Sequence, residues 1–422
     1  MSERSPRRSR WLTFLPLLLA VAACQAPAPS AVPQRDAPVV VLVSIDGFRW
    51  DFDRLADTPA LDHMARTGLR ARALQPAFPT LTFPNHYSIA TGLLPHHHGI
   101  VANSFPDEER SRWYRMTDRD AVQDGRWYAG EPIWVTAEKQ GLRAAAYYFV
   151  GTEADIDGIR PSHWRAFDAT VPGAVRVRQA LSWLRLPEAE RPRLVTLYFE
   201  TVDSQTHAFG VGSPESIAAI EHVDRLLEQL QAGLADVPDA DRIYLVVVSD
   251  HGMGGYDADP PLVLDRVIDL AGVRIVEGGS YAFLYFDTDR EARARVARDA
   301  INAAWRCGQA LLPFELPAAW RAGHSDRYPD LFVQPDPGCG VVSTAAQMHR
   351  LTAADHGWPP DAPDMHGILY ITGPRIPAGR LTGPVHVTDI QPLLIELLGL
   401  TAPARGDGDP DRLSSLLEPD PR

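Results

Sequence analysis

The sequence predicts an α/β fold, a central and mostly parallel sheet flanked by helices, and three observations carry that prediction. Three apolar runs rich in Val, Ile, Leu and Tyr, within VVVLVSI, LVTLYF and IYLVVVS, are too evenly apolar for half-exposed strands and read as strands buried on both faces. Each run is followed within a few residues by acids or acid–histidine pairs: Asp46 after the first, Asp203 and His207 after the second, Asp250 and His251 after the third. Helical periodicity lies between them, clearest in Ser216–Ala235, where Ile217, Ile220, Val223, Leu226, Leu227 and Leu230 share one face. Parallel strands that end on one edge gather the residues just beyond them, and in such sheets that edge is where ligands bind.

Taken in order, Ala37–Ile45 reads as the first central strand and Asp57–Gly68 as a helix stopped by its glycine. TFPNHYSIATG begins a second helix, with Thr82 just ahead of it, Pro84 in an early position where a missing N–H costs nothing, and Thr91-Gly92 as its end. Pro132–Gly141 is a short amphipathic helix, and Arg143–Val150, Pro192–Glu200 and Arg242–Ser249 are strands. More than a hundred residues separate His251 from His366. That is too much for a loop, so a small α+β insertion is expected at about 256–355. GILYITG is a further strand, Val387–Leu400 a helix, and 402–422 a Pro- and Asp-rich tail.

A hydroxyl at a helix N-terminus sits in positive potential, which favours an alkoxide and an approaching anion. An isolated Thr82 would more simply cap the helix. Its company changes that reading: Asp46, Asp203, His207, Asp250, His251 and His366 supply three carboxylates and three imidazoles. With Thr82 bridging, they suffice for two zinc-like sites that each keep an open position. The consecutive His96, His97 and His98 cannot share one face and are not expected to be ligands.

SIDGFRWD, FPTLTFPNHYSIATGLLPHHHGIVAN, GEPIWVTAEKQG, GIRPSHW, DSQTH, SDHGM and DMHG, in that order, resemble the nucleotide pyrophosphatase/phosphodiesterase family of the alkaline phosphatase superfamily. The resemblance runs over roughly Val39–Leu400. It implies an alkaline-phosphatase-like fold and a catalytic domain at 38–401. It also implies two Zn²⁺ ions, one on Asp203, His207 and His366, the other on Asp46, Asp250, His251 and Thr82. Thr82 would be the nucleophile, attacking phosphorus and passing through a phospho-threonine, with Asn103 and the backbone N–H of Phe83 holding the non-bridging oxygens. Phe83 and Phe167 would flank a nucleobase, Phe167 standing where the family commonly has Tyr; core packing is the other reading of Phe167. The implied reaction releases nucleoside monophosphates from a small-molecule nucleotide diester or pyrophosphate. A phospholipid- or choline-type phosphodiesterase of the same family is the alternative. Sulfatases need Cys or Ser where Thr82 stands, and a non-catalytic surface binding protein fits poorly with a complete ligand set.

Composition bounds the remainder. Hydrophobic content of 45% and charged content of 23% are those of a globular chain, and a net charge of −13 argues against broad nucleic-acid or anionic-membrane binding, so no sequence-specific nucleic-acid partner is expected. A monomer is expected. Residues 1–23, with Arg4, Arg7, Arg8 and Arg10 ahead of an apolar run too short to span a bilayer, read as an export signal. VAAC resembles a lipobox, which makes Cys24 a lipid anchor and the protein periplasmic or anchored at the outer membrane; cleavage that leaves Cys24 an ordinary thiol is the alternative. Residues 24–37 form a Pro- and Ala-rich linker. Cys307 and Cys339 are then expected to pair in an oxidising compartment.

Overall fold

The computed structural model describes residues 37–107, 112–257 and 260–419, with Met1. The export signal, Cys24 and nearly all of the linker lie outside those residues. Among the described residues no helix is long and apolar enough to cross a membrane.

Among the described residues eight strands form the main sheet, in the spatial order Arg380–Thr382, Leu69–Ala71, Leu369–Thr372, Ile243–Val248, Val39–Ile45, Leu194–Phe199, Ala144–Tyr147, His163–Arg165. Val39–Ile45 is central and pairs in parallel with both neighbours, Val40 opposite Leu194 on one side and Tyr244 on the other. Leu369–Thr372 alone runs against the rest, antiparallel to Ile243–Val248 and to Leu69–Ala71. The two-residue period of a strand explains why the central run is apolar throughout. Val40 and Leu42 enter a core shared with the Thr82–Thr91, Ile133–Lys139 and Ile390–Leu398 helices. Val39, Val41 and Val43 enter the opposite core, with Pro59–Thr67, Gly173–Leu184 and Pro214–Leu234. The sheet is therefore covered on both faces, as the sequence predicts.

Local chemistry sets the helix ends. The longest helix, Pro214–Leu234, starts at Ser213, whose hydroxyl accepts from Ser216 N, with Pro214 in the first turn. Asp224 on that helix accepts from the backbone of Ala60 and Leu61 at 2.9 and 3.0 Å, satisfying the open N–H groups of the Pro59–Thr67 helix.

The insertion is an antiparallel four-stranded sheet, ordered Val273–Glu277, Ala282–Phe286, Leu331–Pro335, Gly308–Leu311, carrying the Arg290–Ala304 helix. It has its own core around Leu284, Phe286, Ala294, Ile301, Leu331 and Val333. Cys307 and Cys339 are disulfide-bonded there, with Cα atoms 6.0 Å apart and a sequence separation of 32. Replacing both with serine is expected to lower stability by roughly 3–4 kcal/mol in the chain-entropy account of loop closure. The measurement is the urea midpoint of the double variant, and an unchanged midpoint would refute it.

The segment after 401, set apart as a tail from its composition, docks along much of its length. Asp407 accepts from Leu94 N at 2.8 Å and from His97 Nδ1 at 2.6 Å, and Leu413 is buried. His97 is thereby occupied, and His98 is a buried core histidine bonded to Ser88.

Candidate active site

Thr82 is the first residue of its ten-residue helix, not its cap. The cap position is Leu81, and no side chain caps that terminus. Asn85, fully buried, takes up the loop before it instead: its carbonyl accepts from Ala77 N, and its amide donates to Pro79 O and Leu81 O. Gly92, in the left-handed region at φ 63°, closes the far end. The Thr82 hydroxyl, freed from capping, lies 3.3 Å from His251 Nε2.

Two clusters of candidate ligands stand side by side, and the hydroxyl meets His251 of the first. Asp46, Asp250 and His251 form one, and Asp203, His207 and His356 the other, each with its candidate ligand atoms within 4.8 Å of one another. The His251 and His356 rings stack at 3.7 Å and join them. The approach of the strands is tight. Gly47 turns at φ +67°, and a Cβ there would come within 2.9 Å of the Asp203 side chain, so only glycine fits between Asp46 and Asp203.

The ring orientations fit a metal. A backbone carbonyl can only accept, so a histidine nitrogen bonded to one must carry the proton. His207 Nδ1 donates to Ala354 O at 2.8 Å, His251 Nδ1 to Gly252 O at 2.9 Å, and His356 Nδ1 to Thr80 O at 2.8 Å. All three therefore turn Nε2 inward, the arrangement that holds metal-ligating imidazoles. Facing them, Asp46 Oδ1 and Asp203 Oδ1 are buried oxygens that accept no hydrogen bond among the described residues. Burial, then the charges of Asp250 and Asp203, pushes the Asp46 carboxyl well above its ordinary range. Burial, then His251, pushes His356 down to about 3, which keeps it neutral. Carboxylates crowded together in a buried site call for a cation, and a thiolate-free set of imidazoles and carboxylates suits zinc.

His366 is the one expected ligand that the structure leaves out. Its Nε2 lies 3.2 Å from Pro360 O and so carries the proton, and it belongs to neither cluster. His356 takes the place instead. The short antiparallel pair of Gly254–Gly255 with Ala354–Asp355 returns the chain beside the loop after His251, and His356 follows at once. A signal was present in the sequence: Asp355-His356-Gly357 repeats Asp250-His251-Gly252.

Three supporting residues carry no sequence signal of their own. His86, fully buried, places Nδ1 2.9 Å from Thr82 O and 3.2 Å from Asp250 Oδ2, and Nε2 2.8 Å from Ser44 Oγ. Both ring nitrogens are engaged, so it orients Thr82 and Asp250 without being a ligand. Tyr198, beside Ser44 in the register, donates to Asp46 Oδ2 at 2.5 Å. Asn85 is the third, through the loop clamp described above. Asn103 Oδ1 accepts from Phe83 N at 2.9 Å. The Phe83 N–H, expected to hold a phosphate oxygen, instead fixes Asn103 with its amide NH₂ as the end free to donate.

A cavity of about 290 Å³ opens from Thr82, Asp46 and Asp203 between apolar walls that include Phe83, Met116, Val122 and Phe167. Phe167 is 40% exposed and packs edge-on to Tyr148, so it is a wall and not core.

The family model described as type I phosphodiesterase/nucleotide pyrophosphatase matches residues 40–359, which takes in both clusters, His356 included. This chain belongs to that family. Mouse ectonucleotide pyrophosphatase/phosphodiesterase family member 1 is 31% identical over 401 residues, covering 92% of this chain and 44% of the mouse protein. The chain thus spans less than half the length of that relative. An uncharacterized pyrophosphatase/phosphodiesterase of Schizosaccharomyces pombe is 29% identical over 377 residues, 86% of this chain and 77% of that one. Among solved structures, murine ectonucleotide pyrophosphatase/phosphodiesterase 5, an inactive variant in complex with AMP, superposes with a TM-score of 0.84 at 26% identity. That match covers 91% of this chain and all of the murine one. The family places the fold in the alkaline phosphatase superfamily.

Proposed function

We propose that this chain hydrolyses nucleotide phosphodiester and pyrophosphate bonds through a phospho-threonine at Thr82, releasing nucleoside monophosphates. The observation that carries the reading is the Thr82 hydroxyl. It stands uncapped at a helix N-terminus, 3.3 Å from His251 Nε2, in a cavity also lined by Asp46 and Asp203. Thr82 Oγ attacks phosphorus, the bond to the leaving ester oxygen breaks, and water then hydrolyses the phospho-threonine and restores the hydroxyl. The helix N-terminus attracts the anionic substrate, and the Asn103 amide donates to a non-bridging oxygen. Asp203, His207 and His356 would hold one zinc and Asp46, Asp250, His251 and Thr82 the other. Zinc, when bound, acidifies the Thr82 hydroxyl, stabilises charge on the leaving oxygen and activates the water. The AMP bound by the murine neighbour supports a nucleotide substrate.

A diester, not a monoester, fits the charge. Two divalent ions face three aspartates and, once ionised, Thr82, so the centre is about neutral before substrate arrives. A monoester's second charge would be costly there without a further cation. Arg119 lines the cavity, but Glu153 beside it offsets its charge. A choline-type headgroup is disfavoured for a related reason. Glu153 is committed to Arg119, and Glu200 to Arg176 at 2.7 Å, so neither carboxylate is left to meet a quaternary ammonium.

The p-nitrophenyl ester of a nucleoside monophosphate is expected to exceed p-nitrophenyl phosphate in kcat/KM by at least about tenfold, the factor that 1.4 kcal/mol gives. A preference for the monoester would show the substrate class to be wrong. Phe167→Ala is expected to raise KM for that nucleotide ester by about tenfold more than for a methyl diester, through lost stacking. Equal effects on the two would remove Phe167 from base binding.

A further inference from the structure

The cavity beside Thr82 is mostly apolar along its walls, but Arg119, Glu153 and Glu200 also line it. A chain of contacts leads to Arg119. Tyr198 donates to Asp46, its ring lies 6.2 Å from that of Phe167, and Phe167 N donates to Glu153 Oε1 at 3.0 Å. Glu153, only 5% exposed, accepts at Oε2 from Gln123 Nε2 at 3.2 Å and from Arg119 Nη2. Glu153 thus ties the Arg119–Gln123 helix to the backbone of the Phe167 wall, and Arg119 lines the same slot. Its side chain is 41% exposed. Among the described residues Glu153 is the one acceptor Arg119 meets, through Nη2, so the guanidinium has further N–H groups with which to donate.

A guanidinium is a planar fork of parallel N–H donors that cannot lose its charge. Whatever it reads must present acceptors. A nucleobase held between Phe83 and Phe167 is bound by its faces, and adenine and guanine stack alike, so the walls do not choose between them. The edges differ. Guanine offers two adjacent acceptors, O6 and N7, which match the fork. Adenine pairs its N7 acceptor with the N6 amino donor, which would meet an arginine N–H donor to donor. Glu153, whose two oxygens are taken by Phe167 N, Gln123 and Arg119, has little capacity left to accept from a base.

We propose that Arg119, held in place by Glu153, is a specificity-determining residue that selects a guanine base over adenine in the substrate cavity. This rests on the nucleotide phosphodiesterase reading of the same site.

The experiment compares kcat/KM for the p-nitrophenyl esters of GMP and AMP, with bis(p-nitrophenyl) phosphate, which has no base, as the reference for the chemistry. The wild type is expected to favour the guanosine ester by about tenfold, within what a bidentate arginine–guanine pair contributes to base discrimination. Arg119→Met is expected to bring that ratio close to one. The ratio is the readout because a general loss of folded or metal-loaded protein lowers both esters together. Arg119→Lys is the second variant: it keeps a positive partner for Glu153 but not the fork, and is expected to lose most of the preference as well. A wild type that treats the two esters alike, or prefers the adenosine ester, overturns the proposal. So does a ratio that survives both substitutions. Turnover of bis(p-nitrophenyl) phosphate alongside either result leaves the phosphodiesterase reading standing. Hydrolysis of none of the three diesters overturns that reading and this inference with it.

Discussion

Thr82→Ala is expected to lower phosphodiester turnover by on the order of 10⁴-fold or more, while Thr82→Ser keeps a measurable part of it. The expectation rests on where the hydroxyl points. Had Thr82 capped its helix, alanine would cost about 1 kcal/mol of stability and leave chemistry alone. Instead Leu81 occupies the cap position, and the Thr82 hydroxyl lies against His251 Nε2. Serine presents the same oxygen without the methyl group, so it remains a nucleophile, less well fixed. Protein purified free of other phosphatases, assayed with a nucleotide nitrophenyl ester and checked by thermal unfolding, separates the two cases. Turnover near wild type in Thr82→Ala would remove Thr82 from the reaction.

The second large effect separates two histidines ten residues apart. His356→Ala is expected to empty one of two metal sites, with a loss in affinity there well beyond about 100-fold, and to lose activity with it. His366→Ala is expected to keep the full metal content and to cost only the hydrogen bond to Pro360 O, about 1 kcal/mol of stability. The reason is the direction of the ring nitrogens. His356 donates through Nδ1 to Thr80 O and turns Nε2 towards Asp203, 3.9 Å away, whereas His366 spends Nε2 on a carbonyl. Metal analysis after dialysis, with kcat/KM on the same preparations, tests both. Chelation of the wild type should abolish activity and added zinc restore it. Full metal content in His356→Ala, or a lost metal in His366→Ala, would reverse the assignment.

Much of this was legible in the sequence because the physics is local. A strand buried on both faces must be apolar at every position, so VVVLVSI and IYLVVVS announce a covered parallel sheet. Parallel strands deliver the residues at their carboxyl ends to one edge, so Asp46, Asp203, His207, Asp250 and His251 had to gather there. Thr82 was legible as a hydroxyl at a helix start, although its role depended on those neighbours.

The tertiary structure decided everything that depends on contacts between distant segments. Whether a histidine is a ligand turns on which ring nitrogen is protonated, and that is settled by a carbonyl brought in from elsewhere: Thr80 for His356, Ala354 for His207. No periodicity reports it, which is why His366 and His356 could not be told apart by spacing. The same holds for Tyr198, which reaches Asp46 only through strand register, and for Asn103, oriented by an N–H twenty residues away. Composition set residues 402–422 apart as a tail, but composition measures burial on average. Asp407 docks because two specific donors, Leu94 N and His97 Nδ1, converge on one carboxylate, and only the folded chain brings them there.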